Sequence, residues 1–511
     1  MPPANLNISK HDFIDALRTG EVPPLYREIP YRRPQAVYEA VCRSLGSSHC
    51  TILLESVKGP ETIARYSFIA FDPYLVLTAK DGEVRVSAGA REAVSFRPPL
   101  DRLKELVGAY PQKPAAGLPP FQGGAVGLLS YDFVRYIEDI PGSAVDDLRI
   151  PDLHFMMADR VIAFDHREER AWMIVAPGAR AMDLGYRDIA AVDFGAAYDE
   201  AEEVLRRFGD LLGGKLPAPE SGPDAALPAG RTESRPAGLT YELSKQQYMD
   251  MVARAKEYIA AGDIFQANLS QRIAASIGSA RPWDIYRLLS AINPSPFAAF
   301  ADFGAYSLVS SSPERLVRVR DGIIDTRPIA GTRPRGKDRD EDEALRAELL
   351  LNAKERAEHI MLIDLERNDI GRISEYGSVT VDELMITEEY SHVIHIVSNV
   401  KGRLKKESSC FDVIKAAFPG GTITGVPKVR CMEIIDELEP VRRGPYTGSL
   451  GYIGFAGTMD LNIVIRTFVV KDGTAYVQAG AGIVADSDPE REYYETLKKA
   501  EALLRTLEHL R

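Results

Sequence analysis

Four glutamates are spaced for joint chemistry. In Asn352-Ala-Lys-Glu-Arg-Ala-Glu358-His359 and in Arg491-Glu-Tyr-Tyr-Glu495-Thr-Leu-Lys-Lys499, the pairs Glu355/Glu358 and Glu492/Glu495 stand three positions apart. Both stretches read as helices, so each pair lies on one helical face. A single pair is ordinary: glutamate forms helix well, and Lys354, Arg356, Lys498 and Lys499 offer partners. Two pairs gathered in one pocket would repel unless a cation sat between them, and a hard divalent ion is the usual solution. The glycine-rich Gln478-Ala-Gly480-Ala-Gly482-Ile-Val-Ala-Asp-Ser precedes the second pair. Such a run leaves backbone N–H groups open to an anion just ahead of a helix start.

The elements that must carry these groups are legible in outline. Ser9 caps a short helix through about Arg18, with Gly20 ending it. Asp81-Gly82, Asp321-Gly322 and Asp472-Gly473 each sit between β-prone runs, the pattern of hairpins closed by tight turns. Antiparallel sheet in both halves follows, which disfavours a doubly wound parallel fold. Phe121-Gln-Gly-Gly-Ala-Val-Gly lacks the spacing of a dinucleotide fingerprint and the lysine of a phosphate loop, and it reads equally well as a strand in close contact with another backbone or as a ligand-binding stretch. From Gly213 to about 240 the chain turns rich in Pro, Gly, Ser and Ala, a linker or surface excursion. It separates an N-terminal region, 1–212, from a second region, 241–511. The second opens on a helix from Ser244 to Ala261, ended by Gly262. A strand carrying Gln266 and Asn268 follows, Thr332 to Lys337 reads as a loop, Tyr446 to Phe455 and Asn462 to Val470 read as strands, and a last helix runs from Pro489 to Leu510.

Composition excludes several classes. The chain has 511 residues and a formal charge of −12 with no long basic block, so nucleic acid is not an expected partner and an anionic substrate must be held by local cations and N–H groups. No leader-like start and no apolar run of membrane-spanning length occurs, so a cytoplasmic protein without a membrane partner is expected. The four cysteines include no C-x-x-C pair and no context for a catalytic thiol. Glutamine hydrolysis by this chain alone is therefore not expected.

In the second half, Ser312-Pro-Glu314, Arg327-Pro-Ile-Ala-Gly331-Thr332-Arg, Glu358-His359-Ile-Met-Leu-Ile-Asp364-Leu-Glu-Arg-Asn-Asp369 and Tyr390-Ser-His-Val-Ile-His395 are followed by Phe418-Pro-Gly-Gly-Thr422-Ile-Thr-Gly, Pro427-Lys428, Ile465-Arg466-Thr and Gly480-Ala-Gly-Ile-Val. Together, in this order, they resemble the chorismate-utilising enzymes. The aminating members, component I of anthranilate synthase and component I of aminodeoxychorismate synthase, are the most similar. The resemblance implies an α+β fold, a large α/β sandwich around antiparallel sheets. It implies Mg²⁺ on Glu358 and Glu495 with Glu355 and Glu492 assisting, the ion binding the ring carboxylate of chorismate. Tyr446, Arg466, Gly480 and Lys499 match groups around the substrate carboxylates, Gly331 and Thr332 line the ring pocket, and Thr422 and Gly482 belong to the same substrate-binding set. Glu314 and His395 match residues that assist departure of the ring hydroxyl and the proton transfers.

Gln266 stands where relatives that add water carry lysine. A neutral amide cannot activate water as a base, so the nucleophile must arrive competent, as ammonia does. That implies a glutamine amidotransferase subunit, component II, as partner. Leu53-Leu-Glu55-Ser56 and Asn293-Pro294-Ser295-Pro296-Phe297 resemble the two segments that hold tryptophan in these proteins, with Glu55 suited to an α-amino group. For the product, Ala330 resembles the anthranilate pattern, since many para-type enzymes carry a lysine there. Gln266-Ala-Asn268-Leu, the Gly420 of Phe418-Pro-Gly-Gly, and Gly457-Thr-Met-Asp-Leu-Asn-Ile resemble the aminodeoxychorismate enzymes, and the balance favours these. A non-catalytic tryptophan-sensing scaffold would be expected to lack some of the metal carboxylates, and all four are present.

Overall fold

The computed structural model describes residues 6–46, 50–60, 63–182, 189–214, 216, 238–389 and 393–510. Its centre is a pair of twelve-stranded sheets, antiparallel between the paired strands. The first sheet contains Thr51–Glu55, Phe297–Asp302, Ser307–Ser312, Thr467–Lys471, Thr474–Ile483 and Gln266–Ser276 as consecutive neighbours. The second contains Ile329–Pro334, Val393–Arg403, Ile323–Thr326, Arg315–Arg320, Met459–Asn462, Ser449–Gly454, Gly124–Leu129 and Leu153–Ala158 in that order. Strands from before residue 213 and after residue 240 lie side by side in both. Apolar side chains such as Phe68, Phe121 and Tyr452 pack together, the last two rings stacked 4.6 Å apart. Helices pack on both sheets, Pro489–Glu508 on the first and Ala353–Gly371 on the second. The arrangement is the sandwich expected from the resemblance.

Local signals explain the elements. Ser9 accepts from the backbone N–H of Asp12 at the start of Lys10–Ala16, and a short 3-10 turn then ends at Gly20 with φ +80°. Ser244 and Gln247 form a capping box on Lys245–Ala261, and Gly262 closes it in the left-handed region. At all three Asp-Gly pairs both residues have positive φ, 47° and 86° at Asp81-Gly82 for instance, as a tight hairpin turn of the sheet's own twist requires. The glycine stretch after Phe121 is a fully buried strand. A Cβ on Gly124 would stand inside contact distance of the Ile453 carbonyl and 2.7 Å from the Gly454 Cα, and φ there is +142°. Gly124→Ala should therefore cost about 3 kcal/mol of stability, read as a lower midpoint in urea unfolding.

Two readings differ. Thr332 is not in a loop: Ile329–Pro334 pairs with Val393–Arg403 across an irregularity between Ala330 and Thr332, and tertiary pairing overrides the local Gly/Pro/Arg signal. The long strands read around 446–470 are shorter. Ser449–Gly454, Met459–Asn462 and Thr467–Lys471 are separate, because the chain leaves one sheet for the other between Asn462 and Thr467. In the linker, residues 215 and 217–237 lie outside the described residues, as do Tyr390, Ser391 and His392 of one motif. Among the described residues, no helix is long and apolar enough to cross a membrane.

Candidate active site

The chain passes between sheets twice at one place. Pro313 and Glu314 join Ser307–Ser312 to Arg315–Arg320, while residues 463–466 make the return. The two crossings are bonded together: the Ile463 N–H donates to the Glu314 carbonyl at 3.0 Å, Ser312 Oγ to the Ile463 carbonyl at 2.6 Å, and the Ser311 N–H to the Arg466 carbonyl at 3.1 Å. Glu314 and Arg466 are thus held side by side, Arg466 in the left-handed region at φ 50°. Glu314 is buried, and loss of solvent pushes its carboxyl up to about 7 against the opposing influence of Thr422, Arg466 and Lys499.

On the first sheet, Gln266–Ser276 runs antiparallel to Thr474–Ile483, with Asn268 opposite Gly482 and Ser270 opposite Gly480. The two glycines leave a bare cradle. A Cβ on Gly482 would lie 2.7 Å from Gln266 Nε2, and one on Gly480 would collide with Asn268 Oδ1 and lie 2.8 Å from the Tyr446 hydroxyl. Strand alternation puts Gln266 and Asn268 on one face. Asn268 is buried, and its Oδ1 has no hydrogen-bond partner among the described residues. Burial keeps Tyr446 a neutral phenol. Beneath it, Arg443 lies 5.6 Å from the Tyr446 ring, donates to the Asn268 carbonyl at 2.6 Å and the Ile423 carbonyl at 3.1 Å, and pairs with Glu439 at 2.7 Å. Sequence reading missed Arg443, which carries no spacing signal. The period-two relation of Asn268 to Gln266 is the sequence signal that places both amides at one site.

Helix Pro489–Glu508 brings the second glutamate pair to this cradle. Asp488 caps it and Pro489 opens it. Lys499 Nζ donates to the Gly480 carbonyl at 3.0 Å and pairs with Glu495 at 2.9 Å. Glu492 and Glu495 both act electrostatically on the buried Tyr248, whose proton they help retain after burial itself, as do Tyr446 and Glu439.

The first pair approaches from the second sheet. Asn352 ends helix Arg339–Leu351 and its Oδ1 accepts from the Glu355 N–H at 3.1 Å, starting Ala353–Gly371. Glu355 lies against Gly331, where a Cβ would be 3.0 Å from Oε2 and φ is +59°, and is bound by Arg333 at 3.1 Å. His395 Nδ1 lies 3.2 Å from the Gly331 carbonyl and 3.0 Å from Thr332 Oγ1. A carbonyl only accepts, so Nδ1 carries the proton and Nε2 the lone pair. Burial, with Arg466 adding to it, pushes the His395 imidazolium down to about 4, so the ring is neutral near pH 7.

Contacts and electrostatics therefore link Gly331, Thr332, His395, Arg466, Glu314, Thr422, Lys499, Gly480, Tyr446 and Gln266 into one region, with Glu355 at one side and Glu495 at the other. The four glutamates offer only oxygen donors, the set a hard divalent ion takes. Glu355 is held by Arg333 and Glu495 by Lys499, and among the described residues no three metal-ligating side chains converge on one point. The donor chemistry fits the ion; two of the donors rest on protein cations instead.

The tryptophan-like segments border a separate cavity of about 350 Å³ between the sheets. Ser56, Pro296 and Phe297 line it with Leu54, Leu450 and Tyr452. Asn293, Pro294 and Ser295 are off its wall: Asn293 Nδ2 donates to Ser311 Oγ at 3.0 Å and Ser295 Oγ to the Ser312 carbonyl at 2.5 Å. Glu55 borders the cavity, but its Oε2 accepts from Tyr286 at 2.5 Å and Gln35 at 3.0 Å. An α-amino group would have to compete with both.

The profile of the family described as chorismate binding enzyme matches residues 49–505. Anthranilate synthase component 1 of Acetivibrio thermocellus is 44% identical over 463 residues, 90% of each chain. Aminodeoxychorismate synthase component 1 of Bacillus subtilis is 41% identical over 485 residues, 95% of this chain and 97% of that one. The crystal structure of anthranilate synthase component I from Streptococcus pneumoniae superposes with a TM-score of 0.73 at 38% identity, covering 86% of this chain and 92% of the other. With two interleaved antiparallel sheets and an acid, an imidazole and a glycine cradle assembled at their crossings, the chain belongs to the chorismate-binding enzyme family, as a chorismate-utilising enzyme of the anthranilate or aminodeoxychorismate synthase component I type.

Proposed function

We propose that the protein aminates chorismate at the para position with ammonia from a glutamine amidotransferase subunit, forming 4-amino-4-deoxychorismate for p-aminobenzoate synthesis. The observation that carries amination is the pair of neutral amides, Gln266 and Asn268, over the Gly480/Gly482 cradle, and the residue patterns at Asn268, Gly420 and Gly457 favour the para product. No base stands there to activate water, and the buried Asn268 oxygen offers an acceptor to an N–H donor. The relatives' designation as component 1 supports a second component.

In this reading the Gly480 backbone, Tyr446, Arg466 and Lys499 hold the substrate carboxylates. Protonated Glu314 gives its proton to the ring hydroxyl as the C–O bond breaks, so that water leaves instead of hydroxide. Ammonia supplies the electron pair of the new C–N bond, and the surplus N–H proton is taken up at His395 Nε2 or returned to Glu314. Glu358 and Glu495, with Glu355 and Glu492, would hold Mg²⁺. The bound ion supplies positive charge against the ring carboxylate. The inter-sheet cavity is large enough for tryptophan.

Ala330 and the anthranilate synthases among the relatives favour a second reading, ortho amination with loss of pyruvate. Purified chain with chorismate, Mg²⁺ and an ammonium salt at mildly alkaline pH decides between them. p-Aminobenzoate only after addition of a separate lyase is the expected result, and anthranilate fluorescence without lyase would establish the ortho route. Omitting the divalent ion in the presence of a chelator should remove either product; undiminished turnover would sink the metal assignment.

A further inference from the structure

The strand Gln266–Ser276 has an interrupted edge at the cleft. On the side away from Thr474–Ile483 it pairs with Gly425–Val426 at Gln266 and Ala267, and with Thr240–Tyr241 at Ile273 and Ala274. Asn268 and Ser270 lie in the gap between these two short strands and are buried, so their outward backbone groups need partners. The Asn268 N–H finds the Thr424 carbonyl at 2.9 Å. For the rest, a side-chain pair takes the place of a strand. Arg443 Nη2 donates to the Asn268 carbonyl at 2.6 Å, and Glu439 Oε1 accepts from the Ser270 N–H and from Ser270 Oγ, both at 2.8 Å. Arg443 and Glu439 are joined to each other through Nε and Oε2 at 2.9 Å and through Nη2 and Oε1 at 2.7 Å. Arg443 Nη1 donates to the Ile423 carbonyl at 3.1 Å and to Thr447 Oγ1 at 3.2 Å. A guanidinium has five N–H groups. All five of Arg443 are therefore taken by the protein, and its side chain is 1% exposed. The same guanidinium stands 4.9 Å from the centre of the Tyr131 ring and 5.6 Å from that of Tyr446. Thr447, which follows Tyr446, is held at φ 60°, a conformation that a β-branched residue rarely adopts.

We propose that the Arg443–Glu439 pair positions the substrate cradle, fixing the strand that carries the Gln266 and Asn268 amides and the ring of Tyr446 without touching substrate. The inference rests on the reading that Gly480 and Tyr446 hold a chorismate carboxylate. Asn268 and Ser270 stand opposite Gly482 and Gly480, so a shift of the strand at these two residues moves the amides relative to the cradle. A Cβ on Gly480 would lie 2.8 Å from the Tyr446 hydroxyl, so a displaced Tyr446 ring alters the same spot. Arginine is the residue this junction requires. Its planar fork serves acceptors on Asn268, Ile423, Thr447 and Glu439 at once, whereas lysine carries three N–H groups on a single atom.

Arg443→Lys keeps the charge and loses the fork. With saturating ammonium, its KM for chorismate should rise about tenfold or more. Consumption of chorismate is the readout, so the result does not depend on which amine forms. A pair that only held the fold together would lower the folded fraction, and with it the apparent kcat, but would leave KM in place. Glu439→Gln keeps the shape and offers one acceptor oxygen where the carboxylate has two, and its KM should rise about threefold. Were Arg443 a direct ligand of the substrate carboxylate, loss of its competitor in Glu439→Gln would lower KM. An unmoved KM in Arg443→Lys, or a lowered one in Glu439→Gln, overturns the proposal. If Arg443→Lys does not fold, Glu439→Gln decides, and an unmoved KM there overturns it as well. Gly480→Ala separates the inference from the reading beneath it. An unmoved KM in Gly480→Ala removes the carboxylate from the cradle, whereas a raised one beside an unmoved KM in Arg443→Lys removes only the role given to the pair.

Discussion

Glu314→Gln is expected to lose about 10³-fold in kcat, with KM for chorismate little changed. The amide matches the acid in shape, so the crossings and the bond from the Ile463 N–H to the Glu314 carbonyl survive. What disappears is the proton that the departing hydroxyl needs. In the wild-type protein the same group predicts an alkaline fall in kcat/KM centred near pH 7, where burial has pushed its carboxyl. Stability should fall in the same direction. The folded carboxyl binds its proton more tightly than the unfolded one, so folding loses free energy as pH rises from about 4.5 through about 7, and the penalty is complete above that. Glu314→Gln escapes it and should be the more stable protein at pH 8, by about 3 kcal/mol. Urea unfolding at pH 5 and pH 8, beside single-turnover rates, tests both halves; equal turnover in the variant would remove Glu314 from the chemistry.

Gly480→Ala is expected to raise KM for chorismate by about 10²-fold or more. Its Cβ would strike Asn268 Oδ1 and come within 2.9 Å of the Leu269 carbonyl and 2.8 Å of the Tyr446 hydroxyl. A backbone carbonyl and a ring backed by buried Arg443 cannot step aside cheaply. The added methyl also covers the surface on which a planar carboxylate would rest, and disturbs the carbonyl that holds Lys499. Steady-state kinetics with saturating ammonium reads the effect. A kcat loss at unchanged KM would place the substrate elsewhere.

Much of this was legible beforehand because it is local. Glycine and aspartate at the three hairpin turns and Ser244 with Gln247 at a helix start each impose a conformation within a few residues. What stayed hidden depends on distant partners. Nothing near Arg443 announces that it will join Asn268, Ile423 and Glu439. The break at Arg466 was invisible for the same reason. A continuous β-prone run says that strand will form but not that the chain will change sheets inside it. Glu55 shows the limit of a matched segment, since the motif points to the cavity and Tyr286, far along the chain, takes hold of the carboxyl.

The interleaving of strands bears on how the enzyme comes into being. Thr51–Glu55 is paired with Phe297–Asp302, and Gly124–Leu129 with Ser449–Gly454. An N-terminal fragment released from the ribosome would therefore carry open edges and lack the neighbours that close them. Loop closures of this span are slow to form. Helix Pro489–Glu508, which sets Lys499 on Gly480, follows every strand of both sheets in chain order, so a nascent chain can complete the cleft only after both sheets have been synthesised and is exposed to aggregation until then.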